Sequence, residues 1–318
     1  MPKNGKTLSD SSMSCDLCGG VRFDAISQLD RLGQPLETVI CQRCALVSHR
    51  PIPSEKEIAR YYIERYRQEY HGEQDPSARR VMRAWKNAER IFNQLEPNLR
   101  PGMDVFEVGA GIGCTVRLFE LNGFDASGIE PGQSFNHFSR EKIRAKVKNM
   151  NLFDLEPEAG HDIVLLIHVI EHFTSPSNAL AHVHALLKPE GRLYIECPNL
   201  AAPFSTFPRM FHFAHIYNFT PQSLIAMAEK CGFGVEKVFS DENDPNIQIL
   251  FASQKPGKPS IEQGVADKTR VAMQRYNILS YHLRWNYLQA RFCKLYSYFS
   301  EAIFSQSYMK RLLQRCGE

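Results

Sequence analysis

Apolar positions recur along the chain with two different periods. Between residues 54 and 95 the spacing is helical. Ser54-Glu-Lys-Glu57 is a capping-box pattern, and Ile58, Tyr61, Tyr62 and Tyr66 then fall on one face. A second helix is predicted from about Pro76 to Leu95, with Val81, Trp85, Ala88, Ile91 and Phe92 on one side; Pro97 and Pro101-Gly102 close it. From Met103 short apolar runs alternate with helical stretches. The runs Asp104 to Val108, Asp125 to Glu130, Ala145 to Lys148, Asp162 to Ile167, Gly191 to Cys197, Gly234 to Phe239 and Ile247 to Ala252 predict strands. Asp162-Ile-Val-Leu-Leu-Ile167 is apolar without a break, as a strand covered on both faces must be. The alternation predicts an α/β domain with a mostly parallel sheet. Only Ser240 to Asn246 separates the last two runs, which predicts an antiparallel hairpin at the sheet edge.

Punctuation and composition divide the chain further. Residues 1–14 are rich in Ser and Lys and read as a disordered tail. Residues 15–50 hold two C-x-x-C pairs and end at Pro51-Ile-Pro53. Residues 51–99 form a helical linker region, 100–255 the α/β domain and 256–318 a helical extension. Residues 263–318 carry nine Lys/Arg against three Asp/Glu, many aromatics and no proline. Their aromatic stripe reads as core packing or as the contact of a homodimer through the C-terminal helices. A basic face with Trp285, Tyr287 and Phe292 also suits a membrane surface.

Composition excludes little. Hydrophobic residues make up 43% and the net charge is +3, too small to imply a nucleic-acid partner by itself. No apolar run approaches the roughly 20 residues of a membrane span. Met1 to Asp10 lacks the apolar core of a signal peptide, so a cytoplasmic location is expected. Nine cysteines fit that compartment if some have work other than disulfide bonding. Cys15-x-x-Cys18 and Cys41-x-x-Cys44 have zinc-ribbon spacing, two turns each offering two thiolates to one tetrahedral ion. Four thiolates leave no open position, so this Zn2+ is expected to be structural. Cys114, Cys197, Cys231, Cys293 and Cys316 read as interior residues.

The candidate chemistry begins at Val105-Phe-Glu-Val-Gly-Ala-Gly-Ile-Gly113. Glycines at the end of a strand let a ligand approach the backbone closely. The dinucleotide fingerprint needs glycine at the first, third and sixth positions. Counted from Gly109, the sixth is Cys114, and the third glycine is Gly113 instead. With Glu107 ahead, the stretch reads E-x-G-x-G-x-G. It resembles the cofactor loop of the class I S-adenosyl-L-methionine (SAM) methyltransferases. Glu130, 21 residues after Gly109, ends the second strand, where an acid can accept hydrogen bonds from both ribose hydroxyls. The resemblance extends through Asp162-Ile-Val, His168-Val-Ile-Glu171-His172 and Leu187-Lys-Pro-Glu-Gly191-Arg-Leu, which are similar to the family's D-x-V, h-x-x-E-H and L-K-P-G-G-x-L segments. It covers about residues 100–255. It implies a Rossmann-like, seven-stranded methyltransferase domain, with Gly109, Gly111 and Gly113 against the methionine moiety and Glu130 at the ribose. It also implies that Leu152, within Asn151 to Phe153, flanks the adenine, and that His168 lies beside the cofactor.

His168-x-x-Glu171-His172 also spells the H-x-x-E-H pattern of a metalloprotease class. That chemistry needs a regular helix, whereas His168 follows a buried strand and Ser175-Pro176 comes soon after. The segment Phe211-His-Phe-Ala-His215-Ile-Tyr-Asn-Phe-Thr220 resembles the H-x-x-[YF]-[FN]-[ST] loop of methyltransferases acting on nucleotide-linked sugars. That family also carries an N-terminal four-cysteine zinc module. Aligned on its second histidine, His215 matches, while His212, Phe213 and Ala214 stand where the family has Tyr, His and Glu. The resemblance implies a sugar, nucleotide-sugar or related small-molecule acceptor, with no nucleic acid expected. His215 is the first candidate base and His168 and His172 are the others, because an imidazole titrates near neutral pH. A zinc-ribbon methyltransferase acting on RNA or protein, or on a lipid-linked substrate at the membrane surface, is the alternative. The chain has Cys197-Pro-Asn-Leu200 in place of the Asn/Asp-Pro-Pro-aromatic motif of base methylation, which favours the small molecule.

Overall fold

The computed structural model describes residues 14–61, 76–202, 206–207, 210–275 and 278–317. The expected tail, Tyr62 and Tyr66 lie outside these, as do the side chains of Trp285, Tyr287, Phe292 and Cys293. Strands β1 (Phe23–Leu29), β2 (Pro35–Cys41) and β3 (Val47–His49) come first, then helices α1 (Glu55–Tyr61) and α2 (Ala78–Leu95). Next are β4 (Asp104–Val108), α3 (Cys114–Leu121), β5 (Asp125–Ile129), α4 (Gln133–Phe138), β6 (Val147–Lys148) and β7 (His161–Ile167). They are followed by α5 (Pro176–Leu186), β8 (Leu187–Pro198), β9 (Tyr217–Asn218), α6 (Pro221–Lys230), β10 (Phe233–Val238) and β11 (Asn246–Ser253). Helices α7 (Val265–Met273), α8 (Ile278–His282) and α9 (Trp285–Gly317) close the chain.

The larger sheet has seven strands in the order β10-β11-β8-β7-β4-β5-β6. Strand β4 pairs in parallel with β5 and β7, and β5 with β6. The expected hairpin is present, with β10 antiparallel to β11 at the edge. Two strands differ by more than one residue: β8 starts at Leu187, four residues before the expected Gly191, and β6 is Val147–Lys148 against the expected Ala145 to Lys148. A second sheet, β1-β2-β3-β9, lies outside the strand expectations, which begin at Asp104; the two-residue β9 carries no periodic signal and is defined by its pairing with β3.

Contacts separate the chain into two compact units. One comprises residues 64–167, 185–194 and 284–318. Its strand β7 buries Ile163, Val164, Leu165 and Leu166 completely, as a strand covered on both faces should. Helix α2 is capped by Ser77, which accepts from the Arg80 N–H, and buries the expected stripe of Val81, Trp85, Ala88 and Ile91. Phe92, Phe119 and Phe124 meet edge to face at 5.1–6.0 Å. Helix α9 buries Glu301, Ser305, Leu312 and Cys316, at helical spacing. Glu301 takes a fork of hydrogen bonds from Arg83, and the Arg117 guanidinium donates to the Cys316 carbonyl at 2.7 Å. Its aromatic face is not core: Tyr298, Phe299, Ile303 and Phe304 are exposed.

The other unit comprises residues 1–63, 168–184 and 195–283. Ile40, Ala45, Val47, Leu200, Met210, Phe211, Val265, Ala266 and Met273 form its core cluster. Pairing of Val47 with Asn218 and Ser48 with Tyr217 ties the loop before α6 to the cysteine-bearing sheet. Helix α6 starts as its residues demand: Thr220 caps Ser223 and Pro221 takes the first turn. Among the described residues no helix is long and apolar enough to cross a membrane.

Candidate functional site

In the first unit, the turn after β4 places three of its residues at positive φ: Gly109 at 72°, Gly111 at 55° and Gly113 at 77°. These glycines serve different ends. A Cβ at Gly111 would meet nothing within 4 Å, so that backbone borders open space. A Cβ at Gly113 would lie 2.8 Å from Ala145 Cβ and Ser139 Cβ, so Gly113 is needed for packing as well as for its φ. The Ala110 N–H donates to the Ile129 carbonyl at 2.9 Å and draws the loop over the end of β5.

Glu130 follows β5 directly and is 9% exposed. Its Oε2 accepts from the Gly111 N–H at 2.9 Å and its Oε1 from the Gly132 N–H at 2.7 Å. Burial pushes its pKa up, against the pull of these two N–H groups and Arg80. Glu107, inside β4, is 4% exposed, and its Oε2 has no hydrogen-bond partner. Burial, with the nearby Glu130 charge, pushes its pKa up to about 8, while Thr115 and the Val116 N–H oppose the rise. Two buried acids, one with an oxygen left without a partner, make a site that favours a cationic, hydroxyl-bearing ligand. Leu152 is buried in a short turn capped by Asn151, and its neighbour Phe153 is exposed.

In the second unit, the three candidate histidines converge on one carboxylate. His168 stands at φ 54°, a strained value for a non-glycine residue, immediately after β7. Glu171 and His172 occupy the 3-10 turn Ile170–His172, not a regular helix, which removes the metalloprotease geometry. Glu171 is 1% exposed and neither of its oxygens has a hydrogen-bond partner. Around Glu171 Oε1 lie His168 Nδ1 at 3.6 Å, His172 Nε2 at 3.9 Å and His215 Nε2 at 3.9 Å. Ala214, where the sugar family has glutamate, contributes its carbonyl, which accepts from His172 Nδ1 at 2.7 Å and fixes that tautomer.

Three further residues complete the cluster, and the sequence reading had not given them roles. Glu196 Oε1 lies 3.5 Å from His168 Nε2. An acid inside the otherwise apolar run Leu193-Tyr-Ile-Glu-Cys197 was the available signal, the same one that marks Glu107 in β4. The His212 ring is tilted by 48° to that of His215 with their centroids 3.7 Å apart, and the His212 carbonyl accepts from His49 Nε2 at 3.0 Å. No local pattern could have linked His49, 163 residues away. Burial pushes His49 down to about 4, His212 down to about 3 and His215 well below its usual range, with neighbouring histidines adding to the last two. His168 goes the other way: burial disfavours its charge, but Glu171 and Glu196 outweigh that and raise it to about 10. Its side chain is 41% exposed, so solvent screens part of this attraction.

A family model described as a methyltransferase domain matches residues 78–238, which is 161 of the 318 residues. The chain belongs to the methyltransferase-domain family. Its seven-stranded, mostly parallel sheet with an antiparallel edge hairpin is that of the class I SAM-dependent members. The ubiquinone biosynthesis O-methyltransferase of Rhodopseudomonas palustris (strain TIE-1) is 27% identical over 103 residues, 31% of this chain and 41% of that protein. The Bradyrhizobium sp. (strain ORS 278) enzyme of the same name is 27% identical over 114 residues, 34% and 44%. The match thus spans well under half the length of these curated relatives. Among solved structures, the Burkholderia thailandensis 1,6-didemethyltoxoflavin-N1-methyltransferase aligns with TM-score 0.48 and 20% identity, covering 69% of this chain and 96% of that one. The magnesium protoporphyrin IX methyltransferase of Synechocystis PCC 6803 aligns with TM-score 0.47 and 16% identity, covering 64% and 98%.

The methyltransferase-domain match starts at residue 78, so the cysteine module is an addition to it. Cys15 and Cys44 Sγ lie 3.5 Å apart, as do Cys18 and Cys41 Sγ. A tetrahedral ion about 2.3 Å from each sulfur sets edges of roughly 3.8 Å, so the four thiols, all within 4.8 Å of one another, could hold a Zn2+ ion. Tight turns bring them together. Gly19 and Ala45 take positive φ, and the Gly20 N–H donates to Cys18 Sγ at 3.4 Å. Asp16, inside the first knuckle, accepts from the Ser177 N–H at 2.8 Å and from its hydroxyl at 2.7 Å, which ties the module to the start of α5.

Proposed function

We propose that the protein transfers a methyl group from SAM to a small-molecule acceptor, a sugar, nucleotide-sugar or related biosynthetic intermediate. The observation that carries this is Glu130. Its carboxylate is fixed by the Gly111 and Gly132 N–H groups beside a loop whose backbone borders open space. In this reading Glu130 takes the ribose hydroxyls and Glu107 faces the cofactor's positive charge. Gly109, Gly111 and Gly113 shape the loop, and Leu152 borders the adenine. SAM supplies an activated methyl group whose thioether leaves as a neutral molecule, so no acid is needed at the leaving group.

What the protein must add is placement of the nucleophile and removal of its proton. We assign that to the cluster around Glu171. His215 and His172 present the imidazole nitrogens that act on the acceptor's nucleophile, His215 foremost. His168, held as a cation between Glu171 and Glu196, orients rather than abstracts. Cys15, Cys18, Cys41 and Cys44 hold a structural Zn2+. One observation favours a second reading, in which the acceptor is lipid-linked. The exposed Phe299, Ile303 and Phe304 share α9 with Lys310 and Arg311, a combination suited to an anionic surface.

The test is methyl transfer from radiolabelled SAM into a panel of nucleotide-linked sugars, free phenols and lipid-linked sugars, with wild type and His215→Ala. Label incorporation into the first class by wild type alone supports the reading. Incorporation only into RNA or protein overturns it.

A further inference from the structure

We infer that Glu171, His172 and His215 form a second metal centre, separate from the four cysteines, which takes a divalent cation of the zinc type. The three residues lie in one compact unit, and one ligand atom from each falls within 4.8 Å of the others. Glu171 is the decisive residue. A carboxylate removed from water needs hydrogen bonds or a counter-charge, and burying one without them costs several kcal/mol. Glu171 is 1% exposed, neither oxygen accepts a hydrogen bond, and the nearest counter-charge, His168 with Nδ1 at 3.6 Å, is shared with Glu196.

The geometry around it suits an ion better than a proton. Had a proton bridged Glu171 to an imidazole, the oxygen and nitrogen would lie about 2.8 Å apart. They stand at 3.9 Å from both His172 Nε2 and His215 Nε2. Nitrogen and oxygen ligands about 2.1 Å from a common cation stand roughly 3.0–3.4 Å from each other. The two observed spacings close on an ion when each pair draws in by roughly 0.5–0.9 Å. The ring orientation agrees as well. The Ala214 carbonyl can only accept, so His172 Nδ1 carries the hydrogen and Nε2 is the lone-pair nitrogen that faces Glu171. A backbone carbonyl holding the far nitrogen in this way is the usual support of a metal-bound histidine. His215 is buried among other imidazoles, and a neutral imidazole is the form that ligates.

Two imidazoles and a carboxylate leave one or more coordination positions open, unlike the closed four-cysteine site. An acceptor hydroxyl fits such a position. With the ion in place His172 and His215 act on the acceptor through it rather than by taking the proton themselves: the bound hydroxyl is more acidic and gives its proton to water, and its oxygen is then the nucleophile that takes the methyl carbon as the carbon–sulfur bond breaks. This names the acceptor class as an oxygen donor, and in that respect the inference rests on the proposed function. The existence of the site does not.

The experiment counts metal ions in the full-length protein after equilibration with Zn2+ and removal of unbound ion, and repeats the count for Glu171→Gln and His215→Ala. Calorimetric SAM binding is measured on the same wild-type sample. The expected result is two ions per chain in wild type and one in each variant. The cobalt form should keep its thiolate charge-transfer band throughout, which shows the cysteine module intact. One ion per chain in wild type overturns the second centre, and so do two ions retained in both variants. If wild type holds one ion and binds SAM, this inference fails while the proposed function stands. If it holds two and does not bind SAM, the reverse holds.

Discussion

Replacing Glu107 by Gln should remove a pH dependence of stability that its burial imposes. Glu107 is fully enclosed in β4, and its pKa is pushed up from 4.5 to about 8, mainly by burial. The sign follows from proton uptake. Between these two values the folded protein holds a proton that the unfolded chain has lost. Stability is therefore fully present below about pH 4.5 and is lost as pH rises through about 8. Each pH unit in that window carries about 1.4 kcal/mol, so wild type should lose on the order of 2 kcal/mol relative to Glu107→Gln between pH 6 and pH 8. Glutamine preserves the shape and can still accept from Thr115 and the Val116 N–H, so the two proteins should be close in stability at pH 5. The assay is urea unfolding of both proteins across this range without cofactor, read as the difference between the two curves. Because every other titrating group is common to both, their contributions cancel. Saturating SAM, a cation, should flatten the wild-type curve by favouring the ionised carboxylate. Parallel curves for wild type and Glu107→Gln would refute the claim that burial holds this acid protonated.

Other expectations follow from the same coordinates. Gly113→Ala meets both a φ of 77° and contacts at 2.8 Å, so it should lower stability by about 2–4 kcal/mol in urea unfolding, whereas Gly111→Ala meets only its φ of 55° and should lose about 1 kcal/mol. Equal losses would contradict the packing role of Gly113. Cys44→Ser should bind Zn2+ at least about 100-fold more weakly at the cysteine site and lower the apparent melting temperature, as calorimetry with and without chelator would show. Unchanged zinc affinity would exclude Cys44 as a ligand. Arg83→Ala should cost no more than about 1 kcal/mol despite the fork to Glu301, because its side chain is 52% exposed. A larger loss would mean that α9 depends on this pair.

The sequence was most informative where the signal is local. Strand β4 runs from Asp104 to Val108 as expected, because five residues of apolar pattern between a turn and a glycine admit one reading. The Thr220-Pro221 helix start and the Ser54–Glu57 capping box were legible for the same reason. Convergence of distant segments was not legible. Strand β9 is two residues long and is defined only by its partner β3, which comes about 170 residues earlier. His168, Glu171 and His172 could be singled out as one motif, and His215 as another. Nothing along the chain says that Glu171 lies within 4 Å of all three histidines. On α9 the described aromatics Tyr298, Phe299 and Phe304 are exposed, so for them the core-packing reading does not hold. Among its described residues Glu301, Ser305, Leu312 and Cys316 are the buried ones, and the first two carry no apolar signal that sequence periodicity could detect.

The most direct test of the central claim is calorimetric titration of SAM into wild type and Glu130→Ala. Two charge-assisted hydrogen bonds to the ribose, each worth about 1.5–3 kcal/mol, should vanish with the carboxylate, so affinity should fall by at least about 100-fold while the variant stays folded. A folded Glu130→Ala protein that binds SAM as tightly as wild type would contradict the placement of the cofactor at this loop.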